Sequence, residues 1–411
     1  MKITKKLQHK GLFWLPINKN KFEGNLIIND GGKIKLLMEQ PLASSEENFD
    51  VIYGLIDDKP VTLVNSYYRR YPFLYPLDKQ FELNVHEVLL GKHYLTADKI
   101  NLIEGAFGFI SLYKWFNKKI TSSIKINEDT LLTLKVNKNN TTFVLTSSTP
   151  FTKKEFYKKI KIVEYFFILI LNQIVNLKKI SLVDENKCKV LVYHQSTIFD
   201  KDKDFQSSEF LEFYDFGNFL LILKNFIDLY ETHYPIFYLY LSYLSEQYHV
   251  LETKFLALAQ SLEAFHRIDL EEKNQTYMDP VQFKTLKTHI LEWCTKKENS
   301  IHQEWLEGVI SHMNDITFRQ RLNQLIEPFK VYLKDSDECD DLITRIVRTR
   351  NNLTHIDAKN IQKSYGNNLL ELCFKMDVLL CFLIFSKLGF SPDEFQKIFQ
   401  SEAIKFKLNL K

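Results

Sequence analysis

At 411 residues the chain is long enough for two or three domains, and 45% hydrophobic with 26% charged residues excludes an intrinsically disordered protein. Lysine and arginine number 54 against 51 aspartates and glutamates, so there is no global excess of positive charge, and any nucleic-acid contact must be a local patch. Five cysteines, Cys188, Cys294, Cys339, Cys373 and Cys381, contain no Cys-x-x-Cys pair, which points to a reducing compartment and away from a disulfide framework or structural zinc.

The opening Met1-Lys-Ile-Thr-Lys-Lys-Leu-Gln-His9 is basic without a following apolar stretch, so no secretory signal is expected. The longest apolar runs, Tyr165 to Leu171 and Val378 to Phe385, fall well short of the ~20 residues that span a bilayer, and a cytoplasmic protein without a membrane partner is expected. The first half then reads as strands. Asn25 to Asn29, the turn Asp30-Gly-Gly32 and Lys33 to Met38 form a hairpin signal, with glycines where the turn needs positive φ. Further strands are predicted at Val51 to Ile56, Val61 to Val64, Phe81 to Leu90, Phe107 to Trp115 and Leu131 to Val136, separated by polar turns such as Asp57-Asp-Lys-Pro60. That rhythm suits an antiparallel sandwich or a barrel and leaves both open. A helix is predicted from Thr152 to Lys179, with Thr152 and Glu155 set as a capping box, and a last strand pair from Ile180 to Tyr193.

Asp200-Lys-Asp-Lys-Asp-Phe-Gln-Ser-Ser208 is the expected boundary, because it lacks apolar periodicity and is dense in turn formers. A β-rich domain over 1–199 and a helical domain over 209–411 follow. In the second, Leu251, Phe255, Leu258, Leu262 and Phe265 mark a long helix, preceded by aromatic-rich turns from Pro235. Glu271 to Glu338 is less regular and suits helices inserted into the bundle. A long helix from Asn368 to Leu388 stops at Gly389, and Ser391-Pro-Asp-Glu394 caps a short one. The expected fold is thus α+β and multidomain, a sandwich or barrel-like first domain followed by an all-α bundle.

Within the bundle, Arg345-Ile-Val-Arg-Thr-Arg-Asn-Asn-Leu-Thr-His355 carries the chemistry. Ile343, Ile346, Val347 and Leu353 recur at helical spacing, and Arg350 falls inside that stripe, where it needs a partner. Glu263 and Glu252 are the candidate carboxylates. Asn351 and His355 are four residues apart, so the amide can orient the imidazole while the helix lasts. Arg350 and His355 stand roughly 140° apart on an ideal helix. Either the helix ends near Leu353, or a second protomer completes the site.

Arg350-Asn-Asn-Leu-Thr-His355 resembles the Arg-x-x-x-x-His signature of HEPN-domain ribonucleases. Glu252-Thr-Lys-Phe-Leu-Ala-Leu-Ala-Gln-Ser-Leu-Glu-Ala-Phe-His-Arg267 resembles the first long helix of the ApeA-like HEPN subfamily. Gly11-Leu-Phe-Trp-Leu-Pro16 with Phe22-Glu-Gly-Asn-Leu26 resembles the opening of the ApeA N-terminal domain. The resemblance implies a metal-independent endoribonuclease without a cofactor, active as a homodimer through the HEPN domain in anti-phage defence by abortive infection. It implies RNA as substrate, with transfer RNA among the candidates, and a phage-derived trigger at the N-terminal domain. The resemblance further implies that the 2′-hydroxyl of the RNA would attack the adjacent phosphorus, leaving a cyclic phosphate and a 5′-hydroxyl. In that implied reaction His355 would move the proton, Arg350 would stabilise charge on the phosphoryl oxygens, and Asn351 would orient His355 or the scissile phosphate.

Each assignment has a plainer rival. His355 suits a helix C-terminus because of the macrodipole, and Arg350 suits a structural ion pair with Glu263. Arg345 and Arg348 read as solvated residues or phosphate contacts that bind substrate by position. His266, His302 and His312 lack ligand-like partners at metal spacing. Gly105-Ala-Phe-Gly108 lacks the pattern of a nucleotide loop, which disfavours an NTPase. Aromatic runs such as Phe237 to Tyr243 suit core packing better than base stacking. The rival from another class is a non-catalytic HEPN module that binds RNA, a nucleotide or a protein partner.

Overall fold

Alternating burial along the first strands closes a barrel. The computed structural model describes residues 7–409, apart from 19, 30–32, 44–47, 70–79, 97–98, 110–111, 117, 172–173, 195–217, 245–249, 271–274, 295–302, 331–335 and 356–365. It divides into two compact units, residues 1–227 and 228–411. The acidic segment 200–208 and the turn at 30–32 lie outside the described residues.

In the first unit, β1 (Leu7–Trp14), β2 (Phe22–Ile28), β3 (Ile34–Met38), β4 (Asn48–Ile56), β5 (Lys59–Tyr68) and β6 (Phe81–Leu90) pair antiparallel in the order β3-β2-β1-β4-β5-β6. β3 then pairs back onto β6, from Ile34 opposite Val85 to Met38 opposite Phe81, and the ring is closed. Closure removes the edge strands that an open sheet would expose. Phe13, Leu26, Leu36, Ile52, Leu63 and Leu83 fill the interior. Phe13 lies opposite Gly54 in register, and a Cβ on that glycine would stand 2.7 Å from the phenyl ring, so the large residue is accommodated by the small one. The β4–β5 turn places Asp57 at φ 48° and Asp58 at φ 59°, the left-handed pair of a two-residue hairpin.

The C-terminal half of β6 pairs β12 (Lys189–His194) and leads into a second stretch of sheet. It continues through β11 (Leu177–Asp184), β7 (Asn101–Phe109), β10 (Asn140–Thr152), β9 (Thr130–Asn137) and β8 (Ile120–Lys125). One helix, α1 (Leu112–Phe116), interrupts the strands, and another, α2 (Lys153–Leu171), packs on β7 and β10. Three expectations are corrected here. The strand predicted to run to Trp115 ends at Phe109, because Leu112, Trp115 and Phe116 have helical spacing and are buried as α1. The helix predicted to reach Lys179 ends at Leu171, since Ile180 and Leu182 alternate inward as part of β11. Strands β1, β8 and β10 add to those expected. The capping box forms as read: Thr152 N donates to Glu155 Oε2 at 2.7 Å and Glu155 N donates to Thr152 Oγ1 at 3.2 Å.

The second unit is helical, entered through α3 (Phe219–Thr232), which crosses the boundary. Its helices are α4 (Tyr234–Leu244), α5 (Leu251–Asp269), α6 (Pro280–Cys294), α7 (Gln303–Ile310), α8 (Phe318–Ile326), α9 (Ser336–His355), α10 (Asn367–Lys387), α11 (Pro392–Gln400) and α12 (Glu402–Asn409). The segment from Pro235 is the helix α4 rather than turns, because proline is tolerated in a first turn and Ile236, Phe237, Tyr240 and Leu241 bury one side. α5 is the axis of the bundle, packing on α4, α8, α9 and α10. α10 ends before Gly389 at φ 82°, and Ser391 caps α11 with Glu394 in a capping box. Buried Asp377 of α10 accepts from Tyr240 Oη at 2.6 Å and is ion-paired with Lys407, which ties α12 to the bundle. Among the described residues no helix is long and apolar enough to cross a membrane.

Where α2 meets β6, Glu87, 2% exposed, is bonded to Lys153 and to the Tyr157 hydroxyl. His194 packs beside them, its ring 5.3 Å from that of Tyr157 and edge-on at 4.5 Å from that of His86. Burial, the largest cause, presses the His194 imidazole down from 6.5 to about 4 against the opposing pull of Glu87. A histidine held below its unfolded value takes up its proton more readily when unfolded, so its contribution is complete above about 6.5 and is lost as pH falls towards 4. The expected contribution is on the order of 3 kcal/mol. His194→Gln is expected to flatten the pH dependence of urea unfolding between pH 6.5 and 4 for the first unit; an unchanged slope would refute this assignment.

Candidate functional site

The buried stripe of α9 is Cys339, Leu342, Ile343, Ile346 and Thr349, at three-to-four spacing. It turns the helix so that position 350 faces α5 and α8. Arg350 has 36% of its side chain exposed and lies with its guanidinium carbon 5.8 Å above the Phe318 ring. Its Nη2 is 3.9 Å from Glu263 Oε2, the carboxylate expected from the sequence, and no contact with Glu252 is described. That carboxylate is held more closely by Arg267, whose Nη2 donates to Oε1 at 3.1 Å one turn along α5. A half-exposed pair at 3.9 Å is worth at most about 1 kcal/mol. The planar fork of Arg350 therefore keeps donors for an incoming oxyanion.

Helix α9 continues through His355, so it does not end near Leu353. His355 is exposed at the last helical position, and Asn351 and Thr354 are exposed beside it. Asn351 Oδ1 accepts from Arg350 Nη1 at 3.5 Å, and among the described residues that amide makes no bond to His355. The Thr354 hydroxyl donates to the Arg350 carbonyl at 2.8 Å, which ties the last turn.

Arg345 is bound bidentately by Glu371, at 3.1 and 2.7 Å, with Asp341 at 3.8 Å. Those hydrogen bonds, followed by Lys375, hold the Glu371 carboxyl below its ordinary range. Arg348 is exposed on the face opposite the buried stripe. It lines a cleft of about 200 Å³ with Arg345, Thr349, Asn352 and Asn368, over a floor of Leu369 and Leu372.

A family comparison decides the class of the chain. The model described as Apea-like HEPN matches residues 256–394, and that described as ApeA N-terminal domain 1 matches residues 8–141. The chain carries an ApeA N-terminal domain 1 followed by an Apea-like HEPN domain. No curated protein and no solved structure matches it. The HEPN match takes in α5 to α10, and with them Glu263, Arg350 and His355; the N-terminal match takes in the barrel.

Behind the HEPN helix face lies a polar group that sequence reasoning passed over. His266 is fully buried and Arg321 is 1% exposed. Arg321 Nη1 donates to His266 Nδ1 at 3.0 Å, so Nε2 carries the proton and donates to Gln324 Oε1 at 2.5 Å. The imidazole is neutral in this arrangement, and burial, its largest cause, lowers its affinity for a proton. His312, by contrast, is exposed, 3.9 Å from Asp315, and His302 lies outside the described residues. His266→Leu is expected to lower stability by about 3 kcal/mol in urea unfolding, because it leaves the Arg321 charge buried without its acceptor. Adding Arg321→Met should recover most of that loss; a double variant no better than the single one would argue against the pair.

Proposed function

We propose that this protein is an HEPN-type endoribonuclease that cleaves RNA without a metal, and that the cleavage serves anti-phage defence by abortive infection. The observation that supports it best is an Arg350 fork only loosely held by Glu263 and an exposed His355, five residues apart on one helix of a HEPN domain. In the reaction the RNA 2′-oxygen forms a bond to the adjacent phosphorus and the bond from phosphorus to the 5′-oxygen breaks. His355 handles the proton that leaves the 2′-hydroxyl or the one that reaches the departing 5′-oxygen. Arg350 stabilises the negative charge that builds on the phosphoryl oxygens, and Asn351, bonded to Arg350, holds the scissile phosphate or orients His355.

Because α9 stays helical through His355, Arg350 and His355 point roughly 140° apart. A single protomer presents them poorly to one phosphate, which supports a homodimer through the HEPN domain, with Arg350 of one copy meeting His355 of the other across a two-fold axis. The barrel domain would carry the sensor for a phage-derived trigger, and the whole would act in the cytoplasm.

Purified protein should cleave total cellular RNA in excess EDTA and leave cyclic phosphates, and His355→Ala should abolish this. Equal background from both proteins would favour a non-catalytic HEPN module or an enzyme awaiting its trigger. The composite site has its own test. Mixing Arg350→Ala with His355→Ala, each inactive alone, should restore about a quarter of wild-type cleavage after subunit exchange, since half of the dimers then hold one intact site. Failure of the mixture, with exchange confirmed, would place the whole site within one protomer.

A further inference from the structure

The cleft between α9 and the first turn of α10 has the makings of an anion site. Gly366, at φ 72°, gives α10 no side-chain cap, and no acidic residue stands in its first turn. Among the described residues the positive end of this 21-residue helix has no compensating cap or first-turn acid of its own. Thr349 lines the cleft and is 7% exposed. On the same helix the Thr344 and Thr354 hydroxyls donate to the carbonyl four residues back, at 2.7 and 2.8 Å. Among the described residues the Thr349 hydroxyl has no such bond. Unpaired but not sealed from solvent, that hydroxyl can bond a ligand oxygen at the cleft wall.

The charge of the cleft is specific. Arg345 is neutralised by Glu371, whereas Arg348 has no carboxylate partner among the described residues. One unneutralised guanidinium matches the single charge of a phosphodiester better than the nearly two charges of a phosphate monoester at neutral pH. A cleft of about 200 Å³ has room for a phosphate group. Arg348, Asn352 and His355 follow at i, i+4 and i+7, so the cleft opens on the face of α9 that ends in His355. Arg348 and His355 are about 20° apart around the axis and roughly 10 Å apart along it.

We propose that this cleft is a phosphate subsite that holds a backbone phosphodiester of single-stranded RNA next to the reacting one. Arg348 supplies the charge, and Thr349, Asn352 and Asn368 supply hydrogen bonds. The assignment of RNA rests on the ribonuclease reading above. It makes Arg348 a substrate-binding residue and leaves Arg345 as the strut that fixes the wall.

The test measures binding apart from cleavage. In the His355→Ala full-length protein, which leaves RNA intact, the affinity for a labelled single-stranded oligoribonucleotide is measured by anisotropy at several salt concentrations. Arg348→Gln should weaken binding about tenfold and reduce the slope of log affinity against log salt by about 0.7, the signature of one lost phosphate contact on a single strand. Asn368→Ala, also an exposed position, should weaken binding a few-fold with the slope retained. Thermal unfolding at an unchanged midpoint would show that both variants fold. An unchanged affinity and slope in Arg348→Gln would overturn the proposal, as would failure of every variant to bind RNA. Inorganic phosphate titrated at constant ionic strength should displace the RNA; phosphate binding without RNA binding would reassign the cleft to the free ion. Loss of the ribonuclease reading would show separately, as absent cleavage by wild-type protein while the slope still falls in Arg348→Gln.

Discussion

A helix presents each side chain in one direction only, and the buried stripe of α9 sets that direction for every functional position after it. With Leu342, Ile343, Ile346 and Thr349 packed inward, position 350 must face α5 and α8, and positions 348 and 355 must face away from them. The hydrophobic burial of that stripe, at about 25 cal/mol per Å² of apolar surface, far outweighs the exposed ion pairs around it. Rotation of α9 is therefore decided by apolar packing, and the electrostatics are fitted to the result. Arg350 gains a face of Phe318 and an edge of Glu263 only because packing has already brought it there.

The two units place charge inside in different ways. In the first, Glu87 receives Lys153 and the Tyr157 hydroxyl and binds α2 to the sheet. In the second, Arg321 is enclosed, with no carboxylate in contact among the described residues, and depends on a neutral histidine as acceptor. Removing one partner from either arrangement is costly because the remaining group cannot return to water. Such groups fix a helix in one register more sharply than apolar contacts, which tolerate sliding.

Much of this was legible in the sequence where the relevant residues are neighbours along the chain. The run Arg350 to His355, the capping boxes at Thr152 and Ser391, and the stripe of α5 are local patterns, and each forms as a helix or cap. Glu263 was foreseeable as a partner of Arg350 because it stands on a long amphipathic helix of the same bundle. What was not legible depends on distant residues or on a weak period. β8 has mostly exposed side chains and no apolar alternation, so nothing in it marks a strand. The aromatic run of α4 is apolar on nearly every side, which hides its helical period. Barrel closure follows from the pairing of β3 with β6, across more than forty residues, and no local signal encodes it. The cleft joins Arg348 to Asn368 across a connection whose length the sequence gives but whose path it does not.

Strand β6 belongs to the barrel and to the sheet that follows it. Its first half is hydrogen-bonded to β3 and its second half to β12, while β5 runs along its other edge. No hinge can form between these two parts of the unit without breaking a strand in its middle. A change of barrel shape is therefore carried into the neighbouring sheet as a change of twist and shear along one continuous backbone, much as a bent plank moves at both ends.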